Sequence, residues 1–381
     1  YAKIANVLFN ENDLNNKIIN SSYLLKRKLA KLCAIPTTAG SGAEVTSNAV
    51  IYVDGIKHSF ESDLLIPDNF FLIPEFLISA PNKIKASAGF DAIAQALESL
   101  ISKKSVQPNS GKFELGLYSA ELILENKKSY WYLRPVNSGT GPFIILPTRP
   151  KYNLVFEAPH PIIDRGTGTQ AAFLLKTLEG RAAIISGNHR CAARSKTTCS
   201  GKTRVCGGRK KAYPTSDPAH SLDNLFHSTH TFFSQLWPKA LFIQLHGFSG
   251  KGTDVLFVLS DGSTRKVYKD IGIAGKVRDK IRESLGQSKL ATSCQDLEDN
   301  RYKYRRVCGR TNIQGRQLNG SADICHKSVK ASSGRFLHIE QQWSVRKSVK
   351  EFGYGALDDK YQRALIKSLK AVSPCIRACA N

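Results

Sequence analysis

The chain contains no methionine in 381 residues, and only three tryptophans. No window approaches the roughly 18 consecutive apolar residues of a membrane-spanning helix, which excludes that class of membrane protein. No charged-then-apolar leader follows Tyr1, so no secretory signal is visible. The nine cysteines include no Cys-x-x-Cys pair, which excludes zinc-finger spacing. Acidic residues are in the minority, 31 against 55 basic ones, for a net charge of +24.

What is present has the balance of a soluble globular protein, 41% hydrophobic and 9% aromatic. The length suffices for one large core or, on composition, two. Residues 1–105 hold 11 of the basic and 10 of the acidic residues, so nearly all the excess charge lies in residues 106–381. Cysteine divides the same way. Cys33 stands alone, whereas Cys191, Cys199, Cys206, Cys294, Cys308, Cys325, Cys375 and Cys379 form an even set. Disulfides are the favoured reading, implying an oxidising compartment and a secreted or periplasmic protein. Free buried thiols in a cytosolic protein are the alternative. The pairing is not readable from spacing.

The first part carries Ala34-Ile-Pro-Thr-Thr-Ala-Gly-Ser-Gly-Ala-Glu-Val-Thr-Ser-Asn-Ala-Val-Ile51, a strand, a Gly-rich turn and then a helix or strand. Ala86–Ser99 has apolar residues at helical spacing. With Lys57-His-Ser-Phe-Glu-Ser62 and Leu65-Ile-Pro-Asp68, residues 1–105 resemble the iron-dependent alcohol dehydrogenases. The resemblance implies a Gly-rich dinucleotide loop upstream, absent here, and an Asp and a His four residues apart as metal ligands. Here the Asp is Asp91, but Gln95 occupies the His position. The expectation is a fragment that does not transfer hydride. His58 reads as an ordinary surface or packing histidine.

From about residue 112 the pattern restarts. Strands are expected at Tyr130–Arg134 and Pro142–Pro147, around the Asn137–Gly141 turn. Others follow at 154–156, Arg181–Ser186, Ala240–Leu245, Val255–Leu259 and Arg335–Glu340. Helices are expected at Gly168–Leu178, Leu222–Leu236, Lys276–Leu285 and Lys360–Val372. Alternation of strand and helix predicts an α/β fold, a mainly parallel or mixed sheet flanked by helices, with a separate N-terminal α/β fragment.

Four stations fall at the expected strand ends: His160 with Asp164, His189 with Arg190, His246 with Gly247, and Glu340. Two histidines and one carboxylate are the ligand set of a catalytic zinc with an open fourth position. His160, Asp164 and His246 are the metal candidates, and Glu340 the candidate general base. Arg190 or Arg316 is the candidate to orient substrate or stabilise an oxyanion, and Asn312 with Arg316 could clamp a carboxylate. His189 is a site candidate without a fixed role.

These stations in this order, His160…Asp164-Arg-Gly-Thr167, Ser186-Gly-Asn-His-Arg190, His246-Gly247 and Leu337-His-Ile-Glu340 onward to Arg346, resemble the zinc-dependent poly-γ-glutamate hydrolases. Those enzymes are related to the zinc carboxypeptidases and N-formylglutamate amidohydrolases. The resemblance spans about residues 150–350. It implies a carboxypeptidase-like fold, a zinc cofactor and hydrolysis of an amide next to a carboxylate. The sequence departs from the group in using Asp, not Glu, as the carboxylate ligand, in the gap that precedes it, and in the three-cysteine segment Cys191–Lys211.

Asp217 and His220, in Ser216-Asp-Pro-Ala-His220, could approach the same pocket and are substrate-binding candidates, although such a stretch is more often a helix N-cap with an exposed His. His227, His230, His326 and His338 read as structural. The positive charge suits an anionic small molecule or polymer as substrate. Nucleic acid is the less favoured partner, because no helix-turn-helix, zinc finger or RNA-binding aromatic pattern is present. Two further functional readings stand beside the hydrolase: an NAD-dependent iron-type alcohol dehydrogenase, and a secreted basic protein that binds anionic polymers without cutting them.

Overall fold

The computed structural model describes residues 2–9, 12–20, 22–23, 25, 27–37, 42–71, 73, 112–115, 118–137, 139, 141–207, 210–250, 253–299, 307–352 and 359–374. The expected helix at 86–99, with Asp91 and Gln95, lies outside these, as do Cys375 and Cys379. The chain divides into two compact units, Tyr1–Lys104 and Ser105–Asn381.

In the first unit, short helices α1 (Ala2–Ala5) and α2 (Leu14–Ile19) accompany the pair β1 (Cys33–Ala34) and β4 (Asn69–Phe70), and the hairpin β2 (Asn48–Val53) with β3 (Ile56–Glu61). The hairpin turn is Asp54-Gly55, both with positive φ, which Asp and Gly tolerate and which matches strand twist. Ile4, Val7, Leu8, Ile18, Val53, Phe60 and Leu65 form its core. His58 is half-buried on β3 opposite Ile51.

The second unit holds a ten-stranded sheet. Its strands are β5 (Lys112–Leu115), β6 (Tyr118–Glu125), β7 (Lys128–Pro135), β8 (Phe143–Pro147), β9 (Leu154–Ala158), β10 (Ala182–Ile185), β11 (Leu241–Phe248), β12 (Phe257–Ser260), β13 (Ala291–Ser293) and β14 (Phe336–Gln342). They lie in the order β13-β12-β14-β11-β9-β10-β8-β7-β6-β5. The centre, β14-β11-β9-β10, is parallel, and antiparallel neighbours β12 and β8 bound it. The expected mixed α/β sheet is therefore present. Strands β5, β6 and β13 were not foreseen, nor were the helices at Ile313–Leu318 and Trp343–Phe352. Asn126 and Lys127, both at positive φ, turn β6 into β7.

The helices are α3 (Thr167–Thr177), α4 (Leu225–Leu236), α5 (Ile273–Leu285), α6 (Ile313–Leu318), α7 (Trp343–Phe352) and α8 (Lys360–Ala371). Side chains alternate between the faces of a strand. Phe156, Ile243, Leu245, Leu337 and Ile339 enter one apolar core with Phe173 and Leu174 of α3, Val277 of α5 and Leu365 of α8. The intervening residues Glu157, Gln244, His246, His338 and Glu340 occupy the other face and are all buried. A continuous buried strand therefore carries oil on one side and polar chemistry on the other.

Among the described residues three disulfides form: Cys191–Cys206, Cys199–Cys325 and Cys294–Cys308. Cys33 is an exposed free thiol. Among the described residues no helix is long and apolar enough to cross a membrane.

Candidate metal centre

Strand register builds the centre. Gln244 on β11 pairs with Glu157 on β9 and with His338 on β14; two residues on, His246 pairs with Glu340. This makes two cross-strand polar rows at the carboxyl end of the parallel strands, where open α/β sheets place their sites. His160 lies two residues beyond β9. The chain then turns, Asp164 N donating to His160 O at 2.8 Å, and this turn returns the Asp164 side chain to the histidine. Gly166 follows at φ 89°, and a Cβ there would lie 2.9 Å from the Arg346 carbonyl oxygen, so only glycine fits the entry to α3.

His160, Asp164 and His246 converge, with one ligand atom from each inside a 4.8 Å sphere of mutual distances. Both Nδ1 atoms lie 3.6 Å from Asp164 Oδ2, too long for a hydrogen bond and suited to sharing a central ion. Both Nε2 atoms point away and are held, His160 Nε2 by Asp217 Oδ1 at 2.9 Å and His246 Nε2 by Gln244 Oε1 at 2.8 Å. Metal-bound histidines are commonly oriented this way, through a second acceptor on the distal nitrogen. The donor set, two imidazoles and a carboxylate with one open place, fits zinc.

Burial raises the Asp164 carboxyl, and the two histidines more than reverse this, leaving it well below the usual range. Burial lowers His246 to about 4, against the pull of Asp164, so it is neutral near pH 7, as a ligand must be. Glu340 behaves oppositely: burial and then the Asp164 charge push its carboxyl well up, opposed by Arg190 and Arg346. Its Oε2 has no hydrogen-bond partner among the described residues.

Asp217 is fully buried and collects three side-chain partners. Arg190 donates to its Oδ2 from Nε at 3.0 Å and Nη2 at 2.6 Å, and His220 Nδ1 and His160 Nε2 meet its Oδ1. Burial raises its carboxyl, and the neighbouring His160, His220 and Arg190 more than reverse this, leaving it well below the usual range. Arg190 Nη1 also reaches His160 Nδ1 at 3.1 Å. The N-cap reading of this segment is overturned. Asn224 caps α4, and His220 is buried with its ring stacked 3.6 Å from that of Tyr213.

The remaining candidates distribute differently. Asn312 caps α6 through Oδ1, while its Nδ2 donates to Gln244 Oε1, so it supports the centre from behind. His189 Nδ1 accepts from the Cys191 backbone N–H. Arg316 is not brought to the centre. Its guanidinium donates to the carbonyls of Arg310, Ile324 and Cys325 and to Ser200, tying together loops that the Cys199–Cys325 bond also joins. An arginine with this many internal acceptors has no fork left for a substrate.

Sequence reasoning missed Gln244, Glu157 with its partner His230, and His338. His338 stacks on His246 at 4.3 Å and lies 4.0 Å from Glu340. Period-two alternation from His246 could have flagged Gln244, two residues back; the same alternation placed His338 on the face of Glu340, where it was read as structural.

Residues 1–74 match the family model of iron-containing alcohol dehydrogenases. They are 43% identical over 74 residues to 1-propanol dehydrogenase PduQ of Salmonella typhimurium, a match covering 19% of this chain and 20% of that protein. The chain thus spans about a fifth of that relative's length. Among solved structures, N-formylglutamate amidohydrolase from Ralstonia eutropha aligns with a TM-score of 0.36 at 14% identity, over 61% of this chain and 97% of that one. A metallo-carboxypeptidase from Burkholderia cenocepacia aligns with a TM-score of 0.30 at 12% identity, over 87% and 80% of the two chains.

Proposed function

We propose that residues 106–381 form a zinc-dependent hydrolase that cleaves an amide next to a carboxylate, with a γ-glutamyl or peptide-like substrate. The observation that carries this reading is the convergence of His160 Nδ1, His246 Nδ1 and the Asp164 carboxylate while both distal Nε2 atoms are held by acceptors. His160, Asp164 and His246 would hold the ion, which would supply Lewis acidity and an acidified water.

Glu340 is the proton carrier. Its unpartnered Oε2 is available to take a proton from water and pass it to the leaving amine, and its raised pKa brings it nearer neutrality, where a base of this kind works best. Arg190 is held by Asp217 through Nε and Nη2, which leaves Nη1 as its one donor directed at the centre. Were His160 Nδ1 to hold the ion, the Arg190 Nη1 N–H that it now accepts would be free for a developing oxyanion. His220 fixes Asp217 from the opposite side. The positive charge of this part of the chain favours capture of anionic substrates. The three disulfides support a secreted or periplasmic setting. Residues 1–105 are read as a dehydrogenase-like fragment without hydride transfer.

The test is metal analysis of the purified full chain beside His246→Ala. One zinc per chain, lost in the variant, supports the reading and makes γ-glutamyl amidase assays its next step. No bound metal after zinc is restored removes the mechanism and leaves an anion-binding protein as the better account.

A further inference from the structure

We infer that Gln244, clamped by Glu157 and Asn312, is a positioning residue that selects the His246 tautomer with the proton on Nε2 and so keeps Nδ1 open for a metal. The inference rests on His246 binding through Nδ1, as proposed above. A neutral imidazole carries one proton, and two groups compete for it. Asp164 Oδ2 lies 3.6 Å from Nδ1 and would draw the proton there; Gln244 Oε1 lies 2.8 Å from Nε2 and draws it to the other nitrogen. With the proton on Nδ1, His246 has no lone pair facing Asp164 and His160.

The outcome depends on which end of the Gln244 amide faces His246. An amide can be turned by 180°, which would present N–H groups to Nε2 and reverse the tautomer. Two neighbours prevent this. Gln244 Nε2 donates to Glu157 Oε2 at 3.0 Å, and a carboxylate only accepts. Glu157 is itself fixed by His230 Nδ1, 2.6 Å from its Oε1. From the other side Asn312 Nδ2 donates to Gln244 Oε1, and Asn312 cannot turn because its Oδ1 caps α6 on the Gly315 N–H at 2.9 Å. Turning Gln244 would place amine against amine at Asn312 and oxygen against carboxylate at Glu157. Gln244 and Glu157 are fully buried, so neither mismatch can be relieved by water. This explains an otherwise expensive feature, a carboxylate and an amide in the middle of two core strands.

The experiment reads the His246 tautomer directly, by ¹⁵N NMR of the imidazole nitrogens in the metal-free full chain, and zinc affinity separately by competition with a chelating dye. The wild type is expected to carry its proton on Nε2. Gln244→Met is expected to move the proton to Nδ1 and to weaken zinc binding about 10–100-fold, the usual effect of losing an outer-shell partner. The exchanged pair Glu157→Gln/Gln244→Glu, which restores an acceptor against Nε2 and a donor at position 157, is expected to return both readouts toward wild type. A wild-type proton on Nδ1 overturns the inference without any variant. So does a folded Gln244→Met with the tautomer and affinity unchanged, or an exchanged pair that restores stability but not the tautomer. Because the tautomer is read without metal, absence of zinc binding in the wild type would refute the hydrolase reading and leave this result separately readable.

Discussion

Replacing His246 with asparagine in the metal-free protein should flatten the acid limb of its stability curve. The folded state holds His246 neutral down to about 4, whereas in the unfolded chain a histidine takes up its proton near 6.5. Between these values the unfolded state binds the extra proton, so stability falls as pH drops through this window and recovers as pH rises. Integrating the two titrations from pH 7 to pH 4.5 gives about 2 kcal/mol from this one residue. The side chain is 5% exposed, so solvent screening takes little from that figure. His246→Asn keeps a polar group beside Gln244 but cannot titrate. Urea unfolding with chelator present, at pH 7 and at pH 4.5, measures the difference. Trp131, Trp237 and Trp343 all belong to the second unit, so tryptophan fluorescence reports that unit alone. Wild type should lose about 2 kcal/mol more than the variant across this interval. Equal losses would refute the assignment of a buried, neutral His246.

Glu340 runs the opposite way. Its raised carboxyl stabilises the fold below the ordinary range and costs stability as pH climbs, so metal-free Glu340→Gln should melt at a higher temperature than wild type at pH 8. The same variant should keep its zinc but lose about 10²–10⁴-fold in turnover; a lower melting temperature or full activity would count against its role as base. The Cys199–Cys325 bond spans 126 residues of sequence, and loop-closure entropy for that span gives up to about 5 kcal/mol. Cys199→Ser/Cys325→Ser should therefore lower the urea midpoint sharply, and a change under about 1 kcal/mol would show that Arg316 alone holds those loops.

The strands and helices of the second unit that were legible have strong patterns. Buried apolar runs such as Ala240–Leu245 and the helical spacing in Lys360–Val372 name their elements with few competitors. The β5–β6 strands were missed because Tyr118–Glu125 mixes charged and apolar residues on a half-exposed strand, and its turn uses Asn-Lys without a glycine. Histidine and carboxylate at strand ends singled out His160, Asp164, His246 and Glu340, which the structure brings near one another. Arg316 misled because five donors announce a ligand site equally well when the acceptors are backbone carbonyls.

By itself the sequence determined which residues could do chemistry and on which kind of element each would sit, since strand periodicity and residue type are local properties. Only the tertiary structure decided which of them meet. Strand order put β11 between β9 and β14, and register set His246 beside Glu340 and Gln244 beside Glu157. A slip of β11 by one residue would have sent His246 and Gln244 to the apolar face. The same long-range folding carried Asp217 and His220, 57 and 60 positions along the chain, back to His160, while Arg316 went to the loops that a disulfide closes. Those partnerships depend on distances through space, which residue spacing along a chain does not encode.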